Sequence, residues 1–363
     1  MNATNLFSDE PYSEKPAEAT ADVGTAGAAM PVSTSTPTEP SKQKLLSVGV
    51  LWPAEVDRVV ADERRVKFLV EGFLQVKSIA MAAGESTIGK SPLFYQMGLC
   101  VAAGIPFLGM PTEQGRVLYL DLENSLADSR QIRDAVVKFL GRDKAPDDFL
   151  VKNEAPVVML DGLLDVVKPV LVIVDSLRAF RPDATAANKD AGTFLNEMRR
   201  LSRKHGCSFV FVHHLRKPGR DDVSPDLDEC PVSEWMLEME GPRAFVNQSD
   251  LRIAIAEGDA DRTALKVKWN RRVFGDSPLV LLERVFDDDG ETPLGYRQLS
   301  GAEFLNDERR KAFEKLGDSF TFTEAMAALG KTNNPTTQFL KQCRTLGLIE
   351  KDGREYRKVG RNG

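Results

Sequence analysis

The chain is poor in the residues that build metal centres and disulfide frameworks. Of its 363 residues, four are cysteine and three are histidine. Cys100, Cys207, Cys230 and Cys343 are widely scattered, with no C-x-x-C pair. That spacing argues against a zinc site or a disulfide scaffold and reads as reduced thiols. Two of the three histidines, His213 and His214, are adjacent, which also argues against a histidine-built metal site. Long apolar runs are missing. The nearest, "LLDVVKPVLVIVDSL", is broken by Asp165, Lys168 and Asp175, far short of the roughly 20 apolar residues of a membrane-spanning helix. The start of the chain has no basic segment followed by an apolar one, so no secretory signal is read. A soluble, cytoplasmic protein with no membrane partner is expected. Excess positive charge is missing too: 48 Lys and Arg face 54 Asp and Glu, for a net charge of −6. The molecule as a whole is therefore no electrostatic trap for nucleic acid, and any such contact must come from local basic patches.

What is present is organised in blocks. Residues 1–43 are rich in Ala, Thr, Ser, Pro and Glu and lack apolar periodicity, as in "ATADVGTAGAAMPVSTSTPTEPSK". Such a segment buries too little surface to offset its ordering entropy, and a disordered tail is expected. Residues 44–65 form a lead-in. From residue 66 the texture changes. "VKSIAMAA", "GRVLYLDLE", "PVLVIVDSL" and "GCSFVFVHHL" are short aliphatic runs that read as buried strands. Helical stretches lie between them; "KDAGTFLNEMRRLSRKHG" places Phe194, Leu195, Met198 and Leu201 on one face and stops at His205-Gly206. Strands alternating with helices predict an α/β domain over 66–290 with a mainly parallel sheet, whose ligands bind at the C-terminal strand ends. "LRIAIAEGDADRTALKVKWN" and "SPLVLLERVF" read as an antiparallel extension. Residues 291–363 are a separate block of three short helices and a hairpin, which predicts a winged-helix-like domain. The Thr-x-x-Glu in "TFTEAMAALG" marks the start of one of those helices.

The chemistry begins at Gly84-Glu85-Ser86-Thr87-Ile88-Gly89-Lys90-Ser91, a G-x-x-x-x-G-K-S pattern between a strand and a helix. Glycines let the backbone approach a ligand closely. Successive N–H groups make an anion nest, and the helix N-terminus adds its dipole. In this pattern Lys90 reaches the β- and γ-phosphates and the Ser91 hydroxyl binds Mg²⁺. Pro92 suits the first helical turn. The next strand ends at Asp121 and Glu123, where a carboxylate can orient a water for attack on a γ-phosphate. "LVIVD" ends at Asp175, placed to hold the Mg²⁺. "FVFVHH" ends at His213 and His214, either of which could sense the γ-phosphate. The loop after it, within 216–249, is long and polar and carries Arg216, Lys217, Arg220 and Arg243, suited to phosphate contact. "KVKWNRRVFGD" is expected on an edge strand. Its Lys268, Arg271 and Arg272 face no acidic partner in sequence, and one of them could enter a neighbouring subunit's ATP site.

Together these residues resemble the RecA-like ATPases of the hexameric replicative helicases, with the nearest likeness to the RepA-type plasmid replication helicases. The likeness spans about residues 66–290. It rests on "AAGESTIGKSPL", "VAAGIPFLGMPTEQGRVLYLDLENS", "LVIVDSLRAF", "FVFVHHLRKPG" and "RAFVNQSDLRIAI". It implies a homo-oligomeric ring, often a hexamer, with ATP and Mg²⁺ between neighbours and single-stranded DNA in the pore. By the resemblance, Lys90 and Ser91 bind phosphate and metal, Glu123 is the base, Asp175 is the Mg²⁺ carboxylate, and His213 or His214 is the sensor. Lys268 with Arg271 or Arg272 would reach the neighbour's ATP. The pore loop falls within 216–249, where "GPRAFVNQSD" replaces the small-residue run of many relatives. In the last block, Lys341, Arg344, Lys351, Arg354, Arg357, Lys358 and Arg361 suit duplex DNA. The expected activity is that of an ATP-driven DNA helicase or translocase serving a plasmid, phage or other mobile element. The alternative is an ATP-controlled duplex-binding switch.

Overall fold

The computed structural model describes residues 53–61, 67–154, 160–185, 187–217, 225–258, 263–272, 274–290, 292–299, 301–303, 305 and 307–359. The expected tail over 1–43, most of the lead-in, Arg220 and Arg361 lie outside them. The chain divides into two units, residues 1–64 and 65–363. Of the first, one nine-residue helix is described, α1 (Pro53–Ala61).

The second unit opens with a short antiparallel ribbon of β1 (Phe68–Val70) and β2 (Leu74–Gln75). β3 (Ile79–Gly84) then runs through the centre of the large sheet with every residue buried. Its pleat sends Ala80 and Ala82 into one core layer and Ile79, Met81 and Ala83 into the other, the two-residue period of a strand covered on both faces. α2 (Lys90–Ala103) is buried from Leu93 to Ala102, so it is apolar all round, as a central helix must be.

β4 (Val117–Asp121) leads into α3 (Leu126–Phe139), which begins with a capping box between Ser125 and Asp128. β5 (Phe149–Lys152), α4 (Leu160–Val167), β6 (Leu171–Asp175) and the single turn α5 (Leu177–Phe180) follow. α6 (Asn188–His205) stops at Gly206, in the left-handed conformation expected of a glycine just past a helix end. β7 (Ser208–His214) is buried through His213.

The long polar loop read within 216–249 carries regular structure among its described residues. Residues 225–249 fold into α7 (Val232–Trp235), a 3₁₀ turn at Met236–Glu238 and α8 (Ala244–Gln248). Leu227, Val232, Trp235, Met236, Phe245 and Val246 are buried against the core. The segment is polar on average, but these side chains join one core cluster, and each burial contributes roughly 1.5–3 kcal/mol.

β8 (Leu251–Glu257), β9 (Ala264–Arg271), β10 (Gly275–Asp276), β11 (Val280–Phe286) and β12 (Pro293–Gln298) complete the sheet. Among the described residues its order is β12-β11-β9-β8-β3-β7-β6-β4-β5, with β10 beside β9. From β8 to β5 the neighbours are parallel; from β8 outward to β12 they are antiparallel. An α/β fold with a large, mainly parallel sheet and an antiparallel extension is therefore present. Two expectations need correction. β9 is no edge strand: β8 flanks it on one side, β11 and β10 on the other. The sheet also continues past residue 290, because β12 pairs with β11. Strand periodicity cannot say which strand ends up outermost.

The C-terminal block contains α9 (Asp307–Lys315), β13 (Ser319–Thr321), α10 (Phe322–Leu329), α11 (Asn333–Thr345) and the hairpin β14 (Ile349–Asp352) and β15 (Glu355–Lys358). Thr321 and Glu324 form the capping box that the Thr-x-x-Glu spacing predicts. β13 joins the hairpin to make a three-stranded sheet. Leu316, Phe320, Leu329, Phe339, Leu340 and Ile349 belong to a core cluster separate from the two beside the large sheet.

Candidate functional site

Because β3, β4, β6 and β7 run parallel, their C-terminal ends meet along one rim of the sheet. Gly84 lies level with His214, and Asp121 with Asp175. Short-range sequence patterns thus become one spatial cluster.

The loop from Gly84 to Ser91 wraps the N-terminus of α2. Glu85, Ser86 and Thr87 are exposed, while Ile88 is fully buried and anchors the turn. Gly89 has φ +93°. A side chain there would be strained, and its Cβ would meet the Tyr296 hydroxyl at 1.9 Å. Gly84 is tight for a different reason: a Cβ would lie 2.7 Å from the Ile255 carbonyl oxygen. Lys90 is 5% exposed. Its Nζ donates to the carbonyl oxygens of Gly84 at 3.0 Å and Glu85 at 2.5 Å. Burial lowers its pKa, against the opposing pull of Asp175, Glu123 and Glu85. The ammonium is thus held inside the loop by weak acceptors that a phosphate could replace.

Asp175 is buried and accepts hydrogen bonds from Tyr119 Oη at 2.9 Å and from the Ser91 hydroxyl. Burial pushes its carboxyl up to about 6, although both hydrogen bonds oppose this. Ser91 and Asp175 form an all-oxygen donor pair, which suits a hard divalent cation. A desolvated carboxylate gains more from such a cation than a hydrated one does. The residues present therefore fit Mg²⁺.

Two strand-end carboxylates, alike in sequence, differ in space. Asp121 is fully buried and saturated. It accepts from Tyr95 Oη at 2.7 Å, Ser129 Oγ at 2.6 Å and Asn124 Nδ2 at 2.9 Å. Its capacity is spent on joining β4 to α2 and α3. Glu123 stands half-exposed at the rim. Its Oε1 accepts from the Ser176 hydroxyl and faces His214 Nε2 at 3.1 Å. The His214 hydrogen bond, more than any other influence, holds its carboxyl down to about 2, against some opposing desolvation. Glu123 is therefore an ionised carboxylate at neutral pH, open to solvent, close to Lys90.

The two histidines also part ways, because successive residues of a strand face opposite sides. His214 turns to the rim, with Nδ1 3.4 Å from Lys90 Nζ and 3.3 Å from Ser86 Oγ. With Nε2 donating to Glu123, Nδ1 is left to accept, so the imidazole links the loop to the carboxylate. His213 is fully buried and turns to the other layer. Its Nε2 donates to the Glu240 carbonyl oxygen at 2.9 Å, beside the Phe245 ring. Burial lowers its pKa to about 4. Between the two, His214 is the one brought to the cluster.

Lys268, Arg271 and Arg272 are not brought to it. Arg271 pairs with Leu251, itself level with Ala80 at the opposite end of β3 from Gly84. Four residues of strand separate those levels, about 13 Å. Arg271 stacks over Phe274 at 4.4 Å and Phe68 at 5.4 Å. Lys268 Nζ donates to the Cys230 carbonyl oxygen at 3.0 Å and lies 3.8 Å from Asp276, an acidic partner that sequence did not reveal. Arg216 is paired with Glu238 at 2.8 Å, whereas Lys217 and Arg243 are exposed.

Two residues at the loop carry no signal in the sequence. Tyr296 Oη donates to the Gly89 carbonyl oxygen at 2.9 Å, and Arg284 Nη2 to that of Ile88 at 2.8 Å. They lie on β11 and β12, about two hundred residues downstream of the loop they touch. Neither belongs to a motif, so nothing local points to them.

Residues 40–220 match the family model of the AAA domain. The match takes in the phosphate loop, Glu123, Asp175 and both histidines, and stops before β8. The α/β fold with its large, mainly parallel sheet and the AAA match are consistent with a RecA-like P-loop core. No curated protein sequence matches the chain. Among solved structures, the crystal structure of the RadB recombinase is similar over 58% of this chain and 88% of that chain, at 14% identity and a TM-score of 0.40. Among the described residues, no helix is long and apolar enough to cross a membrane.

Proposed function

We propose that the protein is an ATP-hydrolysing DNA translocase or helicase of the RepA-like kind, acting in the replication of a plasmid, phage or other mobile element. The observation that carries the catalytic part is the meeting of Lys90, Glu123, Asp175 and His214 at one sheet rim. In this reading residues 84–91 hold the phosphates, with Lys90 on the β- and γ-oxygens. Ser91 and Asp175 hold Mg²⁺, which supplies charge neutralisation to the phosphate oxygens. Glu123, ionised and solvent-facing, accepts the proton of the attacking water. His214, bridging Glu123 and Lys90, relays loss of the γ-phosphate to the segment that follows β7.

The remaining parts rest on the resemblance and on charge. Lys268 with Arg271 or Arg272 serves a neighbouring protomer's ATP in a homo-oligomeric, hexameric ring. The distance of Arg271 from the chain's own loop fits a role in trans. Single-stranded DNA passes the segment within 216–249, where Lys217 and Arg243 are exposed. The block over 291–363 is read as a winged-helix-like domain that contacts duplex DNA. The second reading, an ATP-controlled duplex-binding switch without unwinding, draws on the same basic residues there.

The test is steady-state ATP hydrolysis with and without single-stranded DNA, beside Lys90→Ala. Strong stimulation that disappears in the variant supports the motor. Slow hydrolysis indifferent to single strands sinks it in favour of the switch.

A further inference from the structure

The phosphate loop is braced from outside by the antiparallel extension. Arg284 and Tyr296 sit directly opposite one another in the β11–β12 register. Tyr296 is 2% exposed, and both of its backbone groups are bonded to Gln96 of α2. Gln96 Nε2 donates to the Tyr296 carbonyl oxygen at 2.9 Å, and the Tyr296 N–H donates to Gln96 Oε1 at 2.8 Å. The tyrosine is therefore clamped to the helix that the loop begins, and its hydroxyl has little freedom. That hydroxyl occupies the place a Cβ on Gly89 would need. The Arg284 guanidinium stands beside the Tyr296 ring, 6.0 Å from its centre, and reaches the preceding carbonyl.

In a planar trans peptide, C=O and N–H point in opposite directions. A donor on the Ile88 carbonyl therefore sets the direction of the Gly89 N–H, and a donor on the Gly89 carbonyl sets that of the Lys90 N–H. Both carbonyls are held by side chains of the extension, so both N–H groups are fixed on the opposite side of their peptides. We propose that Arg284 and Tyr296 are positioning residues that preset the anion-binding N–H groups of Gly89 and Lys90, an inference that rests on the loop binding nucleotide phosphates. Preset donors spare a ligand the cost of ordering them. Through this brace the extension ties the phosphate cradle to strands outside the parallel half.

The test uses the full chain with Tyr296→Phe and, separately, Arg284→Met, each of which keeps most of the packing. Three quantities are read: Mg·ADP affinity by calorimetry, KM and kcat for ATP hydrolysis, and the melting temperature without nucleotide. Removing one such hydrogen bond is expected to weaken ADP binding about tenfold, raise KM in step, and leave kcat and the nucleotide-free melting temperature nearly unchanged. Wild-type ADP affinity and KM in the folded variants overturn the proposal. So does a fall in melting temperature with KM unmoved, because that marks plain packing. If Tyr296→Phe does not fold, Arg284→Met decides on the same readings. A wild-type protein that binds no ADP overturns the nucleotide reading itself and the brace with it, and that outcome is recognised without any variant.

Discussion

The parallel half of the large sheet and its antiparallel extension place charged residues in different ways. In the parallel half, the strands end in unlike polar groups that gather at one rim. Lys90, His214 and Glu123 are joined there through direct contacts, and Asp175 is bonded to Ser91, the residue next to Lys90. In the extension, charged side chains are spread along the strands and engage neighbours: Lys266 with Asp228 at 2.8 Å, Lys268 with the Cys230 carbonyl, Arg271 with two aromatic rings. A parallel sheet puts all its C-terminal ends on one side, so it concentrates chemistry; an antiparallel one alternates its ends and disperses it. Arg284 and Tyr296 are where the extension reaches back to the concentrated half.

Substitutions can break this contrast, and their expected effects fall off from rim to extension. Glu123→Gln removes the proposed proton acceptor and should lower kcat by roughly 10²–10⁴-fold, with ADP affinity little changed; calorimetry beside steady-state kinetics reads both. Lys90→Ala removes a preorganised cation from the loop and should lower hydrolysis by roughly 10²–10³-fold, with the far-ultraviolet circular dichroism of the fold retained.

His213 tests the buried side of the same strand. Its folded pKa of about 4 lies below the ordinary value of 6.5 because burial disfavours the charged ring. The unfolded chain therefore takes up this proton first as pH falls. The stabilisation is complete above pH 6.5 and is lost between about 6.5 and 4, to a total of roughly 3 kcal/mol. Urea unfolding across that range should show the loss, and His213→Asn should flatten it. Asp121→Asn should be a stability change as well. It weakens a saturated buried carboxylate by roughly 1–3 kcal/mol, with kcat near wild type in the folded fraction; a large kcat loss would move the base assignment from Glu123 to Asp121. The smallest effects belong to the extension. Arg271→Ala and Arg272→Ala should leave ADP affinity of the single protomer unchanged and lower hydrolysis only at protein concentrations where assemblies form, read by light scattering beside the assay.

Much of the rim was legible in sequence. The loop, its strand and helix, the apolar run before Asp175 and the capping box at Thr321 are contiguous patterns, and each took its expected local form. What misled was averaged character. Residues 225–249 look polar as a stretch, yet Trp235, Met236 and Phe245 are spaced to pack. "KVKWNRR" looks like an exposed edge, yet β11 and β10 pair with it.

The sequence by itself determined the local geometry: a turn that brings glycines, an ammonium and a hydroxyl to a helix N-terminus, and strands that alternate with helices. These follow from backbone conformation and short-range periodicity. Only the tertiary structure decided that His214 rather than His213 faces the rim, that Asp121 is saturated while Glu123 is open, and that Arg284 and Tyr296 hold the loop. Pleat phase, buried hydrogen-bond partners and cross-strand register are settled between residues far apart in the chain, where no local pattern records them.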